Sequence, residues 1–406
     1  MSWVISQIGA REHYALAVQL GRLGRLNRLV TDFWAPAWLT GELPFVKAPA
    51  LKRFQGRHHT ELRTLVTSFN VAATAARLLS YGRRRKADVY LGHLAYGEWF
   101  SKRAAAYLDQ MRKPPRYFFT FTTGGMEALS AARGLGSHTI VDQIDAARVD
   151  AEIVEEEREL FPGWEDTPLV IPEAYWSRLK AEWASADTVL VNSDFVRSAL
   201  VKQGLNEDKI VVLPLAYERP SSPPERTRGR APLRVLYLGG LTLRKGIQYV
   251  VQAAAQLPAI EFHVAGPSGL SAAALRSFPA NLRLHGYVPR VQTAALFRNA
   301  DLFIQPTLSD GFAITQLEAM GRGLPVIATP NCGRVVTDGY NGYVVPIRSA
   351  DALVEAIDRL DRDRELLASL AANAYCTAGR YSLERVVDDL LRSVVRRESR
   401  PAVLTE

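Results

Sequence analysis

The chain has 406 residues, 48% apolar and 23% charged, with a formal charge of +8. That is the balance of a globular protein with ample core, and the length predicts two domains of roughly 200 residues each. Two cysteines, Cys332 and Cys376, argue against a disulfide framework or a cysteine-based metal site, and no apolar run approaches the roughly 20 residues of a spanning helix.

Met1-Ser2-Trp3-Val4-Ile5-Ser6 reads as an opening strand, without the basic and long apolar regions of a signal peptide. A cytoplasmic protein is expected, with any membrane contact peripheral. Strands are predicted at 4–8, 28–33, 89–91, 116–121, 139–143, 188–192 and 210–213, and then at 233–238, 261–265, 282–284, 302–305, 325–328 and 342–346. Helical segments alternate with them, which predicts an α/β protein with parallel sheets. Between the two sets, Pro214, Pro220, Pro223, Pro224 and Pro232 gather with Ser221-Ser222 and several arginines. With nothing that suits a core, 214–232 reads as the linker. The predicted plan is therefore 1–213, a linker at 214–232, 233–380, and a final amphipathic segment at 381–406.

Charge is uneven along this plan. Residues 1–110 hold 16 Lys/Arg against 7 Asp/Glu, while the remainder nearly balances. Arg83-Arg84-Arg85-Lys86 forms one basic cluster, and Lys47, Lys52, Arg53, Arg57 and His58-His59 form another near Trp34 and Trp38. Basic and aromatic residues together suit an anionic membrane surface; a face kept for solubility is the alternative. Nucleic acid is not expected, because no binding module accompanies the charge. The acidic run Glu152–Glu159 reads as a solvated helix face. No metal or other cofactor is expected: apart from His58-His59 the seven histidines are scattered, and no Asp-x-Asp pair ends a strand.

Three segments carry candidate chemistry. In Ser309-Asp310-Gly311-Phe312-Ala313, a turn follows a strand and a helix follows the turn, with Glu318 inside that helix. The Gly311, Phe312 and Ala313 amides then lie at a helix N-terminus between two carboxylates, a pattern suited to phosphate and diol groups. Thr315 and Glu318 also fit a capping box, in which Glu318 merely ties down the helix start. Gly239-Gly240 breaks the strand at 233–238 and brings Arg244 and Lys245 to another helix start, either as anion ligands or as a solvated pair. Ile8-Gly9-Ala10-Arg11-Glu12-His13 follows the first strand without being a GxGxxG dinucleotide fingerprint.

The run from Ser309 to Thr329 resembles the E-x(7)-E region of the retaining glycosyltransferases of family 4, with Asp310 in place of the first Glu. Asp338-Gly339-Tyr340-Asn341-Gly342 through Pro346 is similar to that family's DGxNGxLVP segment. Leu238-Gly239-Gly240 through Gly246 is similar to VGRLxxxKG, with Gly240 replacing its arginine, and Gly9 to His13 looks like its GGxExH turn. The resemblance implies the GT-B architecture: two Rossmann-like domains facing across a cleft, the C-terminal helix crossing back to the first, and the motifs at the carboxyl ends of the strands. It implies a retaining hexosyltransferase that needs no metal. A nucleoside diphosphate sugar would be the donor, and a hydroxyl of a lipid-linked sugar or polysaccharide the acceptor, in cell-surface polysaccharide or glycolipid synthesis. Glu318 would hold ribose, Asp310 the sugar, and Arg244 and Lys245 the diphosphate, with Gly239, Gly240, Gly9 and Ala10 allowing close approach. Relatives often place a histidine after the strand at 139–143. Here Asp142, Asp145, or His93 entering from a neighbouring strand end stands in for it. A GT-B sugar-nucleotide epimerase and a non-catalytic nucleotide-sugar-binding paralogue are the rival readings.

Overall fold

The computed structural model describes residues 2–36, 56–81, 89–165, 170–222 and 232–398. The basic runs at 47–53 and 83–86, and Trp38, lie outside the described residues. In chain order the first half contains β1 (Trp3–Gln7), α1 (Ala15–Arg22), β2 (Leu26–Thr31), β3 (Val66–Ser68), α2 (Asn70–Tyr81), α3 (Val89–Asp109) and β4 (Tyr117–Phe121). It continues with α4 (Met126–Gly134), β5 (His138–Gln143), α5 (Arg148–Leu160), α6 (Glu173–Ser185), β6 (Thr188–Val191), α7 (Asp194–Lys202) and β7 (Ile210–Val212). The second half has β8 (Arg234–Leu238), α8 (Ile247–Gln256), β9 (Glu261–Ala265), α9 (Ala272–Arg276), β10 (Leu282–Gly286), α10 (Arg290–Asn299), β11 (Leu302–Gln305) and α11 (Ile314–Met320). After these come β12 (Val326–Ala328), β13 (Gly342–Val344), α12 (Ala350–Arg362), α13 (Arg364–Ala378) and α14 (Leu383–Glu398).

Among the described residues two sheets form, ordered β3-β2-β1-β4-β5-β6-β7 and β10-β9-β8-β11-β12-β13. Every pairing between neighbouring strands is parallel. Central strands such as β1, β4 and β11 are buried at every position, as parallel strands covered by helices on both faces must be. The two Rossmann-like domains predicted from the alternation are present. α14 places Val387, Leu390, Leu391 and Val394 in one core cluster with Trp3, Ile5 and Leu20 of the first domain. Each such buried side chain is worth about 1.5–3 kcal/mol, which holds the chain's end on the domain where it began.

Four expectations need correction. Residues 89–91 are not a strand but the first turn of α3, whose buried Gly97, Phe100, Ser101, Ala104 and Leu108 follow a helical period. A three-residue apolar run is too short to reveal that period. β3, which had no predicted counterpart, is a three-residue edge strand beside β2. The linker packs after all: Leu215 and Tyr217 lie against the second-domain core, and the Tyr217 N–H donates to the Tyr381 carbonyl at 2.8 Å. Finally, the acidic run is not uniformly solvated, because Glu157 has no exposed surface.

Candidate functional site

In the second domain, β8 ends at Gly239-Gly240, and a 3-10 turn from Leu243 to Lys245 leads through Gly246 into α8. Gly246 has φ 75°, and a Cβ there would overlap the Pro306 carbonyl oxygen, so the position admits only glycine. That contact lets two loops knit together. Leu308 N–H and Thr307 Oγ1 donate to the Arg244 carbonyl at 2.9 and 3.1 Å, and Arg244 Nη1 donates to the Ser309 carbonyl at 2.9 Å. Lys245 Nζ pairs with Asp310 Oδ2. Arg244 and Lys245 thus share one lip of the sheet with Asp310, which lies 65 residues beyond Lys245 in sequence.

Glu318 lies on α11 with Arg290 Nη2 at 3.4 Å from its Oε1. Burial raises its carboxyl above the ordinary range, and Arg290 and Arg322 pull it back in part. The capping box does not form. The N-cap is Ala313, and the Thr315 hydroxyl donates to Gln305 Oε1 at 2.9 Å. Glu318 is therefore free of helix-capping duty. The expected row of three amides is shortened, because the Ala313 N–H donates to the Cys332 carbonyl at 2.9 Å and the Phe312 ring packs into the core. Asp338 to Gly342 also falls elsewhere than expected. Asn341, fully buried and bonded to Thr337, Val335 and Thr377, leads into β13 at its amino end, away from the carboxyl lip.

The facing lip belongs to the first domain. Gly9 has φ 76°, and three consecutive non-glycine residues, Glu12, His13 and Tyr14, adopt left-handed φ of 49°, 51° and 64°. Such residues are unusual, and a run of them marks a turn imposed by its surroundings. Asp32 imposes part of it. Its buried carboxylate takes the Gly9 N–H at 2.9 Å, Arg57 Nη1 at 3.0 Å and Tyr96 OH at 2.9 Å. Burial alone would raise this carboxyl, but Arg57 and these hydrogen bonds outweigh it and hold the group below its ordinary range. Ala10 follows with no side-chain cap for the turn.

Asp142 ends up beside Glu12, lining one crevice with it and with Asn192, Leu16 and Phe121. Burial, reinforced by Glu12, pushes the Asp142 carboxyl up to about 8. Asp145 takes Gln143 Nε2 at 2.7 Å and the Ala147 N–H at 3.0 Å on one oxygen, and burial raises it too. His93 does not enter from a strand end. It is exposed on α3, its ring edge against Tyr90.

The two lips touch. A Cβ on Gly311 would overlap the Ile144 carbonyl oxygen and crowd Asn192 Nδ2, so glycine is what lets the first domain approach. Arg290 Nη1 lies 3.2 Å from His13 Nε2 while Nη2 reaches Glu318, so one guanidinium spans the cleft. Arg244 Nη1 lies 3.6 Å from Asp150 Oδ1 on α5. Sequence reasoning named His13 only as part of the GGxExH-like turn, and nothing in the sequence marked Arg290 or Asp150. Among the described residues no group of three or more His, Cys, Asp or Glu is placed to hold a metal ion. None of the described helices is long and apolar enough to cross a membrane.

Comparison with known proteins agrees with this geometry. Residues 220–377 match the family described as Glycosyl transferases group 1. Over 261 residues the chain is 25% identical to the putative colanic acid biosynthesis glycosyltransferase WcaL of Escherichia coli K12, covering 59% of this chain and 62% of that protein. Over 236 residues it is 31% identical to the D-inositol 3-phosphate glycosyltransferase of Mycobacterium bovis, covering 52% and 49%. The matches thus span less than two thirds of these relatives' length. Among solved structures, Anabaena HepE in complex with UDP and glucose superposes with TM-score 0.60 at 13% identity, covering 98% of this chain and all of that one. The chain therefore has the two facing Rossmann-like domains of the GT-B fold, and its residues 220–377 are similar to the Glycosyl transferases group 1 family.

Proposed function

We propose that the protein is a retaining, metal-independent glycosyltransferase that moves a sugar from a nucleoside diphosphate sugar to a hydroxyl acceptor, in polysaccharide or glycolipid synthesis. The observation that carries this reading is the convergence of Arg244, Lys245, Asp310 and Glu318 at one sheet lip, opposite the Gly9 turn. Both carboxylates are held by cations, Asp310 by Lys245 and Glu318 by Arg290. A donor would exchange these partners. Its diphosphate takes Lys245 and Arg244 through charge-assisted hydrogen bonds, Asp310 turns to sugar hydroxyls and Glu318 to ribose. The acceptor hydroxyl enters from the first domain, where a protonated Asp142 donates a hydrogen bond and Asp145 presents its second oxygen. With cations on the leaving group, attack proceeds on the face the nucleotide leaves, and a phosphate oxygen takes the acceptor proton. A membrane-borne acceptor fits the basic first quarter, and salt-sensitive binding to anionic vesicles tests that part alone.

The reading is tested by thermal shift with UDP, GDP, ADP and dTDP, where a ligand at 100 times its Kd adds about 2.7 kcal/mol. Glu318→Gln should weaken free nucleotide and donor alike, whereas Asp310→Asn should spare free nucleotide and depress donor turnover. No shift with any nucleotide would overturn the proposal.

A further inference from the structure

Residues 148–165 belong in sequence to the first domain, since β5 precedes them and α6 and β6 of the same sheet system follow. In space their α5 and the turn after it lie on the second domain. Glu157, without exposed surface, accepts from Gln248 Nε2 at 2.7 Å and Tyr249 OH at 3.0 Å on α8, and from Arg348 Nε. Glu156 takes Arg348 Nη2 at 2.7 Å. After the helix, the Ser271 N–H and hydroxyl donate to the Trp164 and Gly163 carbonyls, both at 2.7 Å, and Trp164 packs on the second-domain core.

Two further contacts converge on Leu243, the residue that opens the turn bearing Arg244 and Lys245. Its N–H donates to Glu165 Oε1 at 2.7 Å. Its carbonyl accepts from Gln248 Nε2 at 3.0 Å, the same nitrogen that Glu157 holds. Asp150, on the first turn of α5, faces Arg244. The Leu243 N–H is thus held directly by a carboxylate on first-domain chain, and its carbonyl, which also takes the Gly246 N–H at 3.0 Å, is reached by a second one through Gln248.

We infer that residues 148–165 are a positioning element of the nucleotide site, with Glu165 and Glu157 as positioning residues that orient the Arg244–Lys245 turn through Leu243. This rests on the diphosphate role proposed above for those two cations. Released from both anchors, the turn keeps its contacts with 307–309 at Arg244 but loses its fixed start at Leu243, and charge-assisted bonding is lost with small misplacements. The nucleotide site is then complete only while the first-domain segment is docked, so donor affinity and interdomain docking are coupled.

The test compares wild type with Glu165→Ala and Glu165→Gln, the latter keeping an acceptor oxygen for the Leu243 N–H. UDP affinity is measured by calorimetry, and exchange of the Leu243 amide by hydrogen–deuterium exchange. Glu165→Ala should lose about tenfold in UDP affinity and lose protection at Leu243, while Glu165→Gln stays near wild type. If the alanine variant does not fold, Ser271→Ala, which loosens the same segment away from the cleft, should show both losses in weaker form. A folded alanine variant with wild-type affinity and protection overturns the inference, as does an equal loss in both Glu165 variants. Should wild type bind no UDP, the diphosphate reading fails, and protection at Leu243 alone decides whether the segment holds the turn.

Discussion

The second domain builds its lip of the cleft from two loops, 239–246 and 306–313, stitched through backbone groups at Arg244, Leu308 and Ser309. The first domain builds the opposite lip from side chains drawn from distant places: Asp32, Arg57 and Tyr96 gather under Gly9, and Asp142 meets Glu12. One lip is a framework of loop contacts that needs glycine at Gly246 and is braced from the first domain at Leu243. The other depends on each member of a buried charged cluster. The contrast teaches where substitutions should be read as loss of fold and where as loss of ligand.

If the first lip depends on its cluster, Asp32→Ala should have the largest effect. It leaves Arg57 without its buried partner, and losing one member of such a pair typically costs about 3–5 kcal/mol. Denaturant unfolding measures this, and a cost below about 1 kcal/mol would show that the Gly9 turn stands without it.

Gly311→Ala tests the contact between the lips. Its Cβ meets the Ile144 carbonyl and must push the domains apart. A misplacement of about 1 Å is worth roughly a hundredfold in rate, so turnover should fall by that order while free nucleotide still binds. Equal losses in turnover and nucleotide affinity would instead place the damage within the second lip.

Lys245→Ala belongs to the local framework, so it should leave folding nearly intact. Losing a charge-assisted bond of roughly 1.5–3 kcal/mol should weaken nucleotide binding about 10- to 150-fold. Unchanged affinity in calorimetry would remove Lys245 from the diphosphate.

A further test concerns pH. Asp142 is raised from 3.8 to about 8, so the folded protein keeps a proton that the unfolded chain releases. Stability from this group is fully present below about pH 4 and declines as pH rises toward 8. Asp142→Asn cannot ionise, so its melting temperature should gain on wild type between pH 5 and 9. Parallel melting curves across that range would show that Asp142 ionises normally.

Alternation of strands and helices was legible because parallel strands buried on both faces leave continuous apolar runs. The exceptions were short elements, where three residues at 89–91 or at β3 carry too little periodicity to tell helix from strand. Near the candidate site, the glycine turns were legible because backbone geometry demands glycine there, whereas Arg244 and Lys245 stood out only through the resemblance of 238–246 to a family segment. Arg290 was not, because an exposed arginine at the start of α10 looks like any solvated charge until His13 and Glu318 stand beside it.

By itself the sequence determined two α/β halves and which loops follow which strands, since these depend on local period and turn chemistry. Tertiary structure alone decided that the linker packs and that Asn341 serves the amino end of a strand. It also decided that Glu157, one carboxylate within an acidic run, is buried against the other domain. Such outcomes depend on which surfaces meet, and a residue's partners across 90 or more positions leave no periodic trace in the chain.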